Sequence, residues 1–398
     1  MTNQTKPNYT LPLIIMSALF FLFGFITTMN NSLITYLGEA FKLDDAQRQW
    51  INTAFFGSYI LSIPIGNLLR KIGYKGGLML GLIVVSIGFV ITAIFGVDGF
   101  TGFLACMFVV AVGVALLQVA ANPYITALGD PATASSRLSL TQALNSLATT
   151  AAPLFIVAFI IPSGEPNPTS VSLPFFVIAA FTFVIAIVLN FFKLPAIQDE
   201  DKSAPMTGEY KSSAWKYKNL ILGTIAIFMY MGVEIGVPSF FRPFIDYIGL
   251  NGQVNPTSML SFYWGGMLIG RFLGTIILNK FKTEKVLALC LSISALLVLS
   301  AILVGPTSPK LAMWLFISTG LFHSIMWPAI FSLSIADLGP HSKMGSGIFC
   351  TAVIGGAILP VIMGNIQVAT GSVIFAIATM FVYYLYMTFF ALKGAKLR

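Results

Sequence analysis

Long apolar runs separated by short turns rich in Gly, Pro or charge repeat from one end of the chain to the other. A run of about 20 apolar residues is enough to cross roughly 30 Å of hydrocarbon as helix. Twelve such runs can be read, at 11–36, 50–69, 76–96, 101–127, 139–161, 172–192, 219–247, 258–279, 286–304, 311–336, 345–368 and 372–392. The pattern predicts an all-α membrane protein of twelve transmembrane helices, called spans one to twelve below. Span one is too long for a secretory signal peptide and lacks a strongly basic start and a small-residue cleavage site, so it is expected to remain as helix. The one long polar interruption, 194–218, mixes acids, prolines and lysines at the midpoint of the chain. It reads as a cytoplasmic linker between an N-terminal six-helix bundle, 1–193, and a C-terminal one, 219–398. Landmarks recur between the halves: Lys71 with Lys280, Pro123 with Pro328 and Pro153 with Pro360 are offset by 209, 205 and 207 residues. Parallel six-helix halves with a site at their midplane interface are a transporter architecture.

Composition strengthens this reading, because 57% of the 398 residues are hydrophobic and only 9% are charged, far more apolar than a soluble core requires. The net charge of +8 follows from topology. Arg70, Lys71 and Lys75 follow span two, Lys193 to Lys218 follow span six, Lys280, Lys282 and Lys285 follow span eight, and Lys393, Lys396 and Arg398 end the chain. The opposite connections carry only Lys42, Arg48, Arg242 and Lys310. The basic side is therefore expected to be cytoplasmic, with both termini on it, in a bacterial inner membrane. Basic residues spread over short loops do not form a nucleic-acid patch; the lipid bilayer is their expected partner. Cys106, Cys290 and Cys350 all lie in apolar spans without a CxxC pair, as packing residues do, and nothing points to a structural metal site or a disulfide framework. No phosphate-binding loop is present, so no nucleotide or other cofactor is expected and an ion gradient must supply the drive.

Within this apolar chain Glu234 stands out. It lies near the middle of the run 219–247, whose other charges, Arg242 and Asp246, fall at its end, while Asp98, Asp130 and Asp337 belong to connections or helix ends. A carboxyl at bilayer depth costs at least ~2.5 kcal/mol unless it is neutralised, paired or open to a watery cavity, and is a functional candidate for that reason. It can load and release a proton, or join hydroxyl, amide and freed carbonyl oxygens around Na⁺. Gly232, Gly236 and Pro238 predict a local break of the helix beside it. A purely structural ion pair is the competing reading, with Arg271 in GRFLG as the partner.

Four amides follow in spans four and five. Gln118 and Asn122 are spaced i, i+4 and Gln142 and Asn145 i, i+3, so each pair shares a helix face. Amides donate and accept, as sugar hydroxyls do, but they also join helices to one another. Asn30 and Asn31 of span one belong to the same set. Tyr263, Trp264 and Trp327 offer flat apolar faces for a pyranose ring, and His323 offers a hydrogen bond to sugar or a means to tune coupling.

The segments FFLFGFITTMNNSLITYL, FFGSYILSIPIGNLLRKIGYKGG, LLQVAANPYITALG, LTQALNSLATTAAP, YWGGMLIGRFLGTIILNKF and MWPAIFSLSIADLGPHSKMGSGIFCTAVIGGAILP together resemble the major facilitator superfamily. They are most similar to its fucose permease branch and, within it, to the glucose/galactose transporters. The resemblance runs almost end to end. It implies cation-coupled uptake of a monosaccharide, a hexose such as glucose or galactose or an amino-hexose, with Na⁺ or H⁺, by a monomer. It also implies sugar contacts at the amide positions and an acid in span seven. Fucose permeases have acids where this chain has Asn31 and Gln118. The glucose/galactose branch shares the glutamine but has an aspartate at the position of Asn31, a departure that moves the weight of coupling to Glu234. Arg70, Lys71 and Lys75, with Gly66 and Gly73, stand at the superfamily's loop motif between spans two and three, a cytoplasmic latch, although the aspartate before the first arginine is missing.

Competing functions are efflux of sugar or drugs by proton antiport on the same scaffold, a transporter-like sensor, and an intramembrane enzyme. A sensor would need an output domain, and an enzyme would need a nucleophile with its base or a metal cluster. The sequence supplies neither, so the chain is not read as an enzyme.

Overall fold

The computed structural model describes residues 9–42, 53–96, 98–159, 172–192 and 210–397, with isolated positions between them; for 28–40 and 151–159 it describes helical backbone alone. The described residues form helices and no strand. Eight spans are single helices: Thr10–Ala40, Phe100–Ala127, Ala134–Phe159, Ser172–Phe191, Lys218–Tyr247, Pro256–Lys280, Thr283–Val304 and Val373–Leu392. Ten helical stretches among the described residues are long and apolar enough to cross a membrane. One of them, Thr53–Phe95, contains both span two and span three. Span five, Ala134–Phe159, is at 26 residues also long enough to cross.

The run Thr53–Phe95 breaks at Gly73, with φ 71° and ψ 175°. An L side chain there would meet its own backbone, so glycine is what allows two spans to follow each other without a loop. Spans ten and eleven also break, beside Gly320 and Pro328 in the first and Gly355, Gly356 and Pro360 in the second. Span ten is Pro309–His323 followed by Met326–Ser334, and span eleven is Ser342–Thr351, a 3-10 turn Ala352–Ile354, and Gly355–Thr370. Span seven behaves oppositely to its sequence, since Lys218–Tyr247 runs as one helix through Gly232, Gly236 and Pro238.

Ser86 Oγ in span three donates to Ala179 O in span six at 2.8 Å, and Gly81 and Gly88 bring span three against Leu117 and Val110 of span four. Spans seven and nine pack against span twelve, and spans eight and nine against span ten. Between spans one to six as one set and spans seven to twelve as the other, span five lies along span eight, and span two along span eleven. Most of the 194–218 segment lies outside the described residues, but its end is docked. His341 Nε2 lies 2.7 Å from Lys211 O, and the Lys211 ammonium sits 4.9 Å from the Tyr217 ring centre.

Basic and amide side chains close helix ends on the lysine-rich side. Arg137 donates to Ile125 O and Thr126 O at the end of span four, and Asn219 donates to Ser334 O and Ala336 O at the end of span ten. Lys75 donates to Asn190 O at 2.7 Å and Phe192 O at 2.9 Å at the end of span six. These carbonyls lie at helix C-termini, where the i+4 donors run out, and a cation there also answers the helix dipole. Lys75, expected in a latch, is thus bound to span six of its own set.

Candidate substrate and coupling site

Glu234 is held inside span seven at 13% side-chain exposure, and Arg271 of span eight reaches it with Nη2 to Oε1 at 3.8 Å. The deep carboxylate therefore has a charge partner, the one its sequence reading named. Pro238 explains why the helix around it survives. Proline has no N–H, so the Glu234 carbonyl loses its i+4 donor; the Tyr263 hydroxyl of span eight donates to that carbonyl at 3.3 Å in its place. The freed oxygen expected at the predicted break exists and is already occupied.

The same tyrosine opens a chain of contacts. Its hydroxyl lies 3.0 Å from His323 Nδ1, and His323 Nε2 lies 2.7 Å from the Tyr384 hydroxyl of span twelve. Tyr230, one turn before Glu234, donates to His323 O at 3.3 Å, where span ten breaks. His323, Tyr230, Tyr263 and Tyr384 are all at most 1% exposed. Spans seven, eight, ten and twelve thus meet around one histidine whose two ring nitrogens are both engaged. That places His323 in a packed polar core and assigns it no open face.

Arg271 looks the other way as well. Its Nη1 donates to Gln142 O at 3.4 Å and to Ser146 Oγ, both in span five, while Nε is buried without a partner. A guanidinium suits this place because its fork holds a carboxylate on one edge and neutral oxygens on another. Around it the two sets are fastened together. Ser139 Oγ donates to Arg271 O at 2.8 Å, Ser136 Oγ to Thr275 O at 2.6 Å, and Ser135 meets Thr283 and Ser332. Across the molecule Gly66 and Gly347 let spans two and eleven touch backbone to backbone; a Cβ on Gly66 would lie 2.9 Å from Lys343 O. Lys343, nearby, sits 4.7 Å from the Tyr74 ring centre. Both contacts lie toward the lysine-rich side, which is shut in this conformation.

The amides separate by environment. Gln118 donates to the Tyr59 hydroxyl at 2.6 Å and Asn145 to Phe20 O at 3.0 Å, so both bridge helices. Gln142 is 7% exposed and gives Arg271 its backbone carbonyl. Asn122 is fully buried and neither its amide nitrogen nor its oxygen has a partner. An unsatisfied amide costs ~1–3 kcal/mol, so a group so placed calls for a ligand or water to answer it. Asn30 and Asn31 lie on the helix Thr10–Ala40, with side chains outside the described residues.

The aromatic candidates also separate. Trp327 is 7% exposed, stacked on Phe331 at 5.3 Å and edge-on to Phe349, and Tyr263 is fully buried. Trp264 is 44% exposed. The outward stripe of span eight is Phe262, Ile269 and Ile276, and Trp264 lies about 200° around the helix from it. Trp264 is seven residues before Arg271 and shares its face within about 20°. It therefore opens on the side that meets span five closer to the basic end. Tyr59, Tyr230, Tyr384 and Ser146 went unremarked in the sequence. Tyr230 and Ser146 could have been found at i−4 from Glu234 and i+4 from Gln142, whereas Tyr384 offers no such signal.

Comparison with known proteins places this arrangement in a family. The chain is 38% identical over 405 residues to the glucose/galactose transporter of Brucella abortus, covering 99% of this chain and 96% of that one. It is 36% identical to the putative glucose/galactose transporter of Helicobacter pylori, covering 98% of each. Against the L-fucose-proton symporter of Escherichia coli it is 29% identical over 92% of this chain and 89% of that one. The solved fucose:proton symporter of E. coli, FucP, superposes with a TM-score of 0.83 at 26% identity, covering 97% and 98% of the two chains. A second structure of FucP, in the outward conformation, gives the same TM-score. The model of the Major Facilitator Superfamily matches residues 16–360, and the chain belongs to that superfamily of membrane transporters.

Proposed function

We propose that the protein is a secondary active transporter that imports a monosaccharide, a hexose such as glucose or galactose or an amino-hexose, by symport with H⁺ or Na⁺. The observation that carries this reading is Glu234, a deep carboxylate shared with Arg271 at the meeting of the two sets of spans, in a chain 38% identical to a glucose/galactose transporter over 99% of its length. Loading Glu234 with a cation changes the charge at that junction, and alternation of the two six-helix bundles, 1–193 and 219–398, about a midplane site carries sugar and cation together. Trp264 offers the stacking face and Asn122 the unanswered amide; Gln118, Gln142 and Asn145 complete the polar lining in this account. The lysine-rich side is cytoplasmic, with both termini on it, and the protein works as a monomer in the bacterial inner membrane.

The test is uptake of a panel of labelled hexoses into proteoliposomes, with pH and Na⁺ gradients imposed independently. Accumulation of at least one sugar above its external concentration under one of the two gradients is expected. Accumulation under neither gradient, with downhill flux intact, would overturn symport.

A further inference from the structure

We propose that Asn122 and Ser62 form a second station for the sugar, directly behind the seal of the lysine-rich side, that hydrogen-bonds sugar hydroxyls once that side opens; the proposal rests on the reading of the protein as a monosaccharide carrier. Asn122 of span four is fully buried with neither amide atom partnered, and Ser62 of span two is equally buried with an unpartnered hydroxyl. Polar groups so costly to bury call for a partner elsewhere in the transport cycle. Gln118 donates to the Tyr59 hydroxyl at 2.6 Å and so sets spans four and two side by side. From that level both spans run toward the lysine-rich end. Asn122 follows Gln118 by four residues, about 6 Å further on and about 40° round the helix, and Ser62 follows Tyr59 by three. Ala120, about 200° from Asn122, is the residue that rests against Gly77 of span three. Asn122 is therefore turned away from span three, to the side on which Gln118 meets span two.

The seal comes next along the same line. A Cβ on Gly347 of span eleven would run into Ser62 O, and one on Gly66 would lie 3.2 Å from Gly347 Cα, so spans two and eleven close backbone to backbone just beyond the two orphans. Span eleven also packs against span four. Opening the lysine-rich side parts spans two and eleven and uncovers Ser62 and Asn122 together. An amide and a hydroxyl each donate and accept, which matches neighbouring hydroxyls of a hexose and not an apolar drug. The midplane amides Gln118 and Asn145 already hold partners in the protein, at Tyr59 and Phe20 O, so a sugar there competes with bonds that exist. At Asn122 and Ser62 it makes bonds that were missing. A sugar leaving the midplane toward the lysine-rich side therefore meets a site that the shut carrier hides.

The test measures downhill hexose flux in membrane vesicles of both orientations, without ion gradients, and compares the half-saturating concentration at the lysine-rich face with that at the opposite face. Asn122→Leu should raise the ratio of the first to the second about tenfold and Ser62→Ala about threefold, the sizes that go with losing one or two hydrogen bonds. Deoxy analogues of the hexose separate contact from a shift in conformation. The analogue that lacks the hydroxyl held by Asn122 should show the raised ratio already in the wild type and gain nothing further from Asn122→Leu. An unmoved ratio in both variants overturns the station. A ratio that Asn122→Leu raises equally for every analogue means that the amide meets only water or biases the gate, and overturns it too. A wild type that moves no hexose from either face overturns the sugar reading itself, and the station with it. Should Asn122→Leu fail to fold, Asn122→Ala and Ser62→Ala decide by the same comparison.

Discussion

The two sets of spans bury polar groups in opposite ways. In spans one to five the deep polar side chains among the described residues are neutral: Gln118 rests on Tyr59, Asn145 on the span-one backbone, and Asn122 on nothing. In spans seven to twelve a carboxylate, a guanidinium, a histidine and three tyrosines form one connected cluster. Neutral amides read the positions of hydroxyls but do not change with a cation gradient; a carboxylate does. The contrast assigns recognition chiefly to the first set and energy coupling to the second, with Arg271 where the two meet.

The largest effect should come from splitting the ion pair. Arg271→Ala leaves Glu234 buried without its counter-charge and should cost about 3–5 kcal/mol, read as a lowered thermal transition of the detergent-solubilised protein. Adding Glu234→Gln should recover most of it. A double variant as unstable as Arg271→Ala would show that packing, not charge, holds the junction. Next comes the contrast between two tryptophans. Trp327→Ala removes a stacked, buried ring and should cost ~3–5 kcal/mol of stability while leaving the KM of the surviving carrier unchanged. Trp264→Ala should do the reverse, raising KM about tenfold, ~1.4 kcal/mol, with little change in melting. Equal effects on both quantities in the two variants would erase the distinction.

Asn122→Leu sharpens the amide side. An orphan amide exchanged for an apolar group of similar volume is nearly neutral or stabilising, so melting should hold or rise while sugar affinity falls. Asn145→Ala, losing one bridging hydrogen bond, should cost only about 1 kcal/mol by the same melting measurement. A stability loss for Asn122→Leu exceeding that for Asn145→Ala would mean that Asn122 is also a helix bridge.

The spans were legible because a membrane imposes a length and an apolarity that few other constraints imitate; Lys218–Tyr247 begins within one residue of its predicted run and ends with it. What was not legible depended on partners distant in sequence. Span seven carries every local signal for a break and has none, because Tyr263 supplies the donor that Pro238 withholds. Span ten, with Gly320 and Pro328 as comparable signals, does break after His323, at a point where Tyr230 donates to the carbonyl. Glu234 and Arg271 were each visible as anomalies of charge in an apolar run. The third member of the junction, Ser146, is an ordinary serine until span eight lies against it.

The most direct measurement is sugar accumulation by proteoliposomes of the wild type and Glu234→Gln, with pH and Na⁺ gradients varied separately and downhill exchange recorded in parallel. The account predicts that Glu234→Gln retains exchange but no longer accumulates sugar under either gradient, a loss of about tenfold or more. Undiminished gradient-driven accumulation in the variant would contradict it.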